Sequence, residues 1–215
     1  MYAAATVYIR ILDGVVHVLS DAVIVETGVR LARRSGVDAV GIRPVALQLG
    51  VTPMALYRHI ESVDELNRRI VASLYSAIPQ AASAGDPRVR CRTWAIEARS
   101  SLVQVPGLAH HLLVHWFEYD DSVAIIESLL AVCRDHGLDG FECVAAANAI
   151  FMFVLMRVAA EGAVRTAGVV HRGIEPVRRQ PARFPLMRRF YKEFSTARFD
   201  AHFEFGLDAL LDGLF

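Results

Sequence analysis

The stretch 42–66, IRPVALQLGVTPMALYRHIESVDEL, restricts what this chain can fold into more than any other part of it. Over 42–49 the apolar residues Val45, Ala46 and Leu49 recur at helical spacing, and Pro44 stands in the first turn, where its missing N–H has no helical partner to lose. Gly50 then offers the residue that most cheaply ends a helix in the left-handed conformation. Thr52 and Pro53 reopen one, as N-cap and first-turn proline, and the spacing predicts a second helix to about Ile60 with Leu56 and Ile60 inward. Helices this short are marginal alone in water, so both depend on neighbours. Two short helices joined by a tight glycine-containing turn form a helix-turn-helix, whose second helix fits the DNA major groove.

The neighbours are legible on either side. Asp21–Ser35 has Val25, Val29 and Ala32 on one helical face and stops at Gly36. Ser62-Val63-Asp64-Glu65 matches a capping box, in which a serine hydroxyl and a glutamate carboxylate satisfy orphan amides, and Leu66, Ile70 and Leu74 continue on the buried face. After Pro79, QAASAGDP reads as a hinge or loop, and helices follow near 86–104, 108–117, 120–136, 139–166 and 185–213 with no convincing strand. The expected fold class is all-α: an N-terminal three-helix helix-turn-helix DNA-binding domain over 21–79, with a fourth helix leading out of it, then a C-terminal helical domain over 80–215. Residues 1–20 read as a loosely ordered N-terminal extension, since Arg10 and Asp13 interrupt their apolar run and no basic start marks a signal peptide.

Composition removes several function classes. Lys+Arg and Asp+Glu both number 23, so any attraction to nucleic acid, membrane or acidic substrate has to be local. Cys91, Cys133 and Cys143 are odd in number and lack a CxxC spacing, which argues against a disulfide framework or structural zinc site and for a reducing, cytoplasmic setting. The segment GFECVAAANAIFMFVLMRVAAEGAV is apolar around its circumference, but its uninterrupted portion reads as too short to span a bilayer. No membrane partner and no cofactor is expected.

With the inward residues of 42–60 assigned, the outward set is Arg43, Thr52, Pro53, Met54, Ala55, Tyr57, Arg58 and His59. Hydrogen-bond donors and small apolar contacts dominate it, and it contains no acid to repel phosphate. An arginine grips guanine O6 and N7 together, methionine or alanine touches a thymine methyl, and a phenol or imidazole is a short, stiff donor that fixes register.

Residues 21–75 resemble the DNA-binding domain of TetR-family transcriptional regulators. The carriers are IRPVALQLGVTPMALYRHI and DEL, with LGV, LYRH and DEL at those mutual spacings, and the C-terminal FEFGLDALLDGL is similar to the tetracycline-repressor branch. The resemblance implies that Arg43 reaches the DNA, that Thr52, Pro53, Met54 and Ala55 face base edges, that Tyr57 and His59 contact phosphates, and that Arg58 serves either role. It implies a homodimer on a palindromic, double-stranded operator, released by a small-molecule effector bound in the C-terminal domain. The chain departs from the family's pattern at Val63, where a lysine is common, and at LDGVVHVLS, where a basic arm often precedes the first helix.

Trp94, His111, Trp116, Asn148, Met152 and Met156 are the candidates for lining an effector pocket, each also an ordinary core or surface residue on its own. The stripe Phe203, Leu207, Leu210, Leu211 and Leu214, with Phe151 and Leu155 of the 139–166 helix, is the expected dimer interface, a four-helix contact between two copies. His111 and His115, four residues apart, could face one metal, but no third ligand stands at a matching interval and no metal is expected. The arginine-rich stretch 165–192 reads as a solvated loop. An enzyme or metal-binding helical protein using His111 and His115, and a dimeric adaptor, are the competing readings. The first has no glycine-rich phosphate loop, nucleophile elbow or complete ligand set behind it, and the adaptor would bind a protein through its exposed helices with no salt-sensitive DNA binding.

Overall fold

The structure, a computed structural model, describes residues 9–12, 15–167, 175–195 and 198–215. Residues 1–8 of the expected extension and 168–174 of the arginine-rich stretch lie outside the described residues.

Helix α1, Asp21–Ser35, opens on Ser20, whose hydroxyl accepts from the Val23 N–H at 3.4 Å, and ends on Gly36 at φ 94°. Its buried ridge is Ile24, Thr27, Gly28, Leu31 and Ala32. Val25 and Val29, expected on that ridge, are only half-buried and flank it. A short 3-10 turn, Val37–Ala39, leads to α2, Ile42–Leu49, which buries Val45, Ala46 and Leu49 as predicted. Gly50 takes the left-handed conformation (φ 65°, ψ 33°), its N–H reaches back to the end of α2, and the Val51 N–H donates to the Ala46 carbonyl at 3.0 Å.

The next helix is shorter than expected. Helix α3 covers Pro53–Leu56 and continues as a tightened turn, with the His59 N–H on the Leu56 carbonyl at 2.8 Å and the Ile60 N–H on the same oxygen at 3.1 Å. Thr52 occupies the N-cap position, but its side chain makes no capping hydrogen bond, so the hydroxyl is left on the exposed surface. Packing holds the unit in place. Leu56 and Ile60 are fully buried, and burial of each contributes about 2 kcal/mol of apolar transfer.

Helix α4, Val63–Tyr75, starts at the capping box: the Glu65 N–H donates to the Ser62 hydroxyl at 3.1 Å, and the Glu65 carboxylate accepts from the Glu61 N–H, one residue earlier than the usual reciprocal partner. α4 packs across α1, so close that Gly28 leaves room only for Ile70.

The rest is a helical bundle: α5 Pro87–Val103, α6 Leu108–His115, α7 Asp120–Asp135, α8 Gly140–Ala167, α9 Glu175–Arg179, α10 Pro185–Ser195 and α11 Phe199–Leu214. The single C-terminal helix expected over 185–213 is thus two helices, and the arginine-rich stretch expected as loop contains α9 and part of α10. α8 is the central element, in contact with α5, α6, α7 and α11. By length and hydropathy it could cross a membrane, contrary to the shorter span expected, but the bundle buries nearly half of it instead. One continuous apolar core runs from Ile24 in α1 to Leu211 in α11.

The extension differs most from expectation. Ile9–Leu12 (β1) and Val15–Val18 (β2) pair antiparallel, with Ile9 opposite Val18 and Leu12 opposite Val15. Ile9–Leu12 and Val15–Val18 are rich in β-branched residues, a strand pattern that outweighs the loose order expected of the extension. The two strands add a small sheet to described residues that are otherwise helical or connecting.

Candidate nucleic-acid interface

The outer face of the α2–α3 unit gathers six of the eight expected residues in the open. Arg43, Thr52, Pro53 and Arg58 are exposed, Met54 is 72% exposed and Tyr57 42%. Ala55 is not among them. It is buried beside Leu56, where α3 packs on α2, so it is excluded from contact with a base edge. α3 buries the adjacent pair Ala55 and Leu56, as α2 buries Val45 and Ala46. A residue that pattern assigned to neither role, Leu47, lies on the outer side of α2 at 83% exposure. Its signal was the odd leucine opposite the Val45, Ala46 and Leu49 face.

His59 is half-buried and tied down. Its Nδ1 lies 3.1 Å from the carboxylate of Asp21, the first residue of α1, and the other oxygen of that carboxylate accepts from Arg69 of α4 at 3.1 Å. The Arg69 hydrogen bond, helped by His59, holds the Asp21 carboxyl below the ordinary carboxylate range. The end of the α3 turn is therefore pinned to both flanking helices, which no sequence interval disclosed, because the partners are 38 and 48 residues away. Asp21 also puts an acid beside a face expected to have none, paired on both oxygens. A second cross-link joins Arg34 of α1 to Gln48 of α2 at 3.4 Å. At the head of α4, Val63 is half-buried and Asp64 exposed.

Helix α4 ends against the bundle at Tyr75, which is fully buried and lies 2.7 Å through its phenol oxygen from Nδ1 of His111 on α6. Burial raises the Tyr75 phenol and lowers the His111 imidazole, so the neutral forms meet and the phenol donates. Tyr119 packs edge-on to Tyr75 at 4.9 Å between ring centroids, and His111 stacks at 4.5 Å on His115, which pairs with Glu118 at 2.9 Å.

The expected effector-pocket residues are divided between the core and the surface of α8, and Trp94 and Trp116 both meet Phe151. Trp94 is core, donating to the Pro79 carbonyl at 2.9 Å and stacking on Phe151, which also meets Trp116. His111 is taken up by Tyr75, Met152 packs on the core, and Asn148 and Met156 lie on the exposed face of α8. A cleft of about 460 Å³ opens elsewhere, between the loop after α1, the α5–α6 connection and the last turns of α8, and none of the six lines it.

Residues 79–215 match the family described as tetracyclin repressor-like, C-terminal domain. The chain belongs to the TetR family of transcriptional regulators. Among solved structures, a possible TetR-family regulator from Streptomyces coelicolor A3(2) has 23% identity and a TM-score of 0.74, over 90% of this chain and 97% of that one. The TetR-family protein ActR of Streptomyces coelicolor, in complex with actinorhodin, has 19% identity and a TM-score of 0.72, over 91% and 95%. BioQ of Mycobacterium smegmatis has 20% identity and a TM-score of 0.67, over 91% and 97%, and BioQ is also solved with its natural double-stranded DNA operator. These likenesses show the fold. No curated protein matches the sequence.

In this TetR-family chain the expected dimer stripe is mostly interior. Phe151, Leu155, Phe203, Leu207 and Leu211 are buried within the chain itself, and only Leu210 and Leu214 are partly open. α11 uses that stripe to pack on α8 and α5. The apolar residues left outward are Phe141 (85% exposed), Val144 and Met156 on α8 and Phe205 (80%) on α11. Periodicity located an apolar face on each helix but did not say which of two apolar surfaces the chain keeps for itself.

Proposed function

We propose that this protein is a ligand-released repressor that binds a palindromic operator as a homodimer, dividing the work between a DNA-binding domain over 21–79 and a ligand-binding and dimerisation domain over 80–215. The observation that carries the reading is the α2–α3 unit: its apolar residues are anchored in the core while Arg43, Thr52, Pro53, Met54, Tyr57 and Arg58 stand together on the open side. Arg43 and the Thr52–Met54 edge of α3 read bases, while Tyr57, Arg58 and the free edge of His59 hold phosphates. Family membership supports the regulator class, and the BioQ–operator and ActR–actinorhodin complexes are of the two kinds this reading requires.

Two copies meet through the outward faces of α8 and α11, covering Phe141, Val144, Met156 and Phe205, which would otherwise leave an apolar patch in water. Symmetry then sets the two α3 units about 34 Å apart, one DNA turn, or a multiple of it. Effector binding in the C-terminal domain shifts α6, and the Tyr75–His111 hydrogen bond carries the shift into α4. The separation of the two α3 units changes, and affinity falls because both no longer fit the groove. The setting is cytoplasmic, where the operator is found and the three buried thiols stay reduced.

Selection of bound duplexes from a random DNA pool tests the reading. The expected result is an inverted repeat with half-sites about 10 base pairs apart or a multiple of it. Recovery of unrelated sequences would reject it.

A further inference from the structure

The 460 Å³ cleft is built across the seam between the helix-turn-helix unit and the bundle. Ser35, Gly36 and Asp38 form one wall, the α5–α6 connection a second, and the C-terminal turns of α8 a third. The seam itself is tight. Gly36 (φ 94°) and Gly107 (φ 84°) nest against each other's loops, a Cβ on Gly36 would press on the Pro106 carbonyl at 3.2 Å, and the Val37 N–H donates to that same oxygen at 3.0 Å. Its volume falls within the range of small-molecule sites, about 300 to 1,000 Å³.

The lining is an apolar floor with one unneutralised charge. Leu102, Val105 and Val158 supply the floor. The Glu161 carboxylate, 5% exposed, is consumed by Arg99 and Arg165, each on its own oxygen. The Asp38 carboxylate, exposed on the opposite wall at the mouth of the cleft, makes no hydrogen bond or ion pair among the described residues, and its charge is felt at His111. Exposed His110 completes the rim. An anionic ligand would meet Asp38 while Arg165, the arginine of the lining, is already paired to Glu161, whereas a cation there would gain a charge-assisted hydrogen bond.

We infer that this seam cleft is a binding site for an amphipathic cation, an apolar body lying on Leu102, Val105 and Val158 with a protonated amine at Asp38. Its walls come from both sides of the seam, so an occupant fixes α1 relative to α8. Only that consequence rests on the DNA-binding reading, since occupancy and operator affinity are then linked reciprocally.

The test uses the full chain without DNA, so that its failure is separable from failure of the DNA-binding reading. Calorimetric titration compares three probes with one tail, n-octylammonium, 1-octanol and octanoate. Octylammonium is expected to bind about tenfold more tightly than octanoate, and Asp38→Asn to bring that ratio close to one. Gly162 on the α8 wall has nothing within 4 Å of an added Cβ, so Gly162→Leu adds a side chain to the wall of the cleft with open space at its Cβ and removes a helix-weakening glycine. It is expected to weaken octylammonium and octanol binding at least about tenfold with the unfolding midpoint preserved or raised. Octanoate binding as tightly as octylammonium, a preference that survives Asp38→Asn, or binding indifferent to Gly162→Leu would each overturn the proposal.

Discussion

The Tyr75 phenol oxygen and the Nδ1 of His111 lie 2.7 Å apart, joining the last residue of α4 to the middle of α6. Tyr75→Phe removes the donor, leaves the imidazole nitrogen half-buried without its partner, and is expected to cost about 1 kcal/mol in urea unfolding. If the bond transmits the effector response, the variant still binds operator but releases it less completely. Unchanged release would assign the pair to stability alone.

The same pair gives a pH dependence whose sign follows from His111. Desolvation lowers its folded pKa below the ordinary imidazole value of 6.5, so the unfolded chain binds the proton more readily. The associated stability is full above about pH 6.5 and is lost as pH falls through the lower folded value. Unfolding midpoints measured from pH 7.5 to 5 should drop, and His111→Gln should flatten the drop.

Gly28→Ala tests the closeness of α1 and α4. The new methyl would overlap Cδ1 of Ile70 and approach its Cγ1 at 2.7 Å. Overpacking of this kind costs about 1 to 3 kcal/mol, partly offset by alanine's better helix propensity. Pairing it with Ile70→Val should recover much of the loss, and a stabilised single variant would contradict the packing described.

Phe205→Arg places a charge on the outward face of α11, where the aromatic ring is 80% exposed in the single chain. Sedimentation velocity should show a folded monomer in place of a dimer, with operator affinity lost. A dimer that tolerates the change would move the interface elsewhere.

Much of this organisation was legible in local signals. Gly50, the Ser62–Glu65 capping box and the Val45, Ala46 and Leu49 face each involve residues within one or two turns, and each is realised as read but for the Glu65 carboxylate, which takes the Glu61 amide in place of that of Ser62. What was illegible depends on distance in sequence. The Asp21 carboxylate that pins His59 and Arg69 comes from the far end of the domain, and Ala55 is covered together with Leu56 where α3 packs on α2. Phe151, Leu155, Phe203 and Leu207 were assigned to a partner because an apolar stripe is the same whether its own chain or a second copy covers it.

Val63→Lys restores a cation at the head of α4, the main departure from the family's pattern. If the position faces phosphate, binding to any duplex tightens and the slope of log affinity against log salt steepens by about 0.9. An unchanged slope would place it off the backbone.

The central claim, that the open side of α2–α3 reads duplex DNA, is tested most directly by fluorescence anisotropy of the selected operator and a scrambled duplex against wild type and Arg43→Ala. The account predicts two chains per operator, a wild-type preference for operator of at least about a thousandfold, and a loss of about 1 to 3 kcal/mol in Arg43→Ala that falls on the operator more than on the scrambled duplex. Equal affinity of the wild type for both duplexes would contradict it.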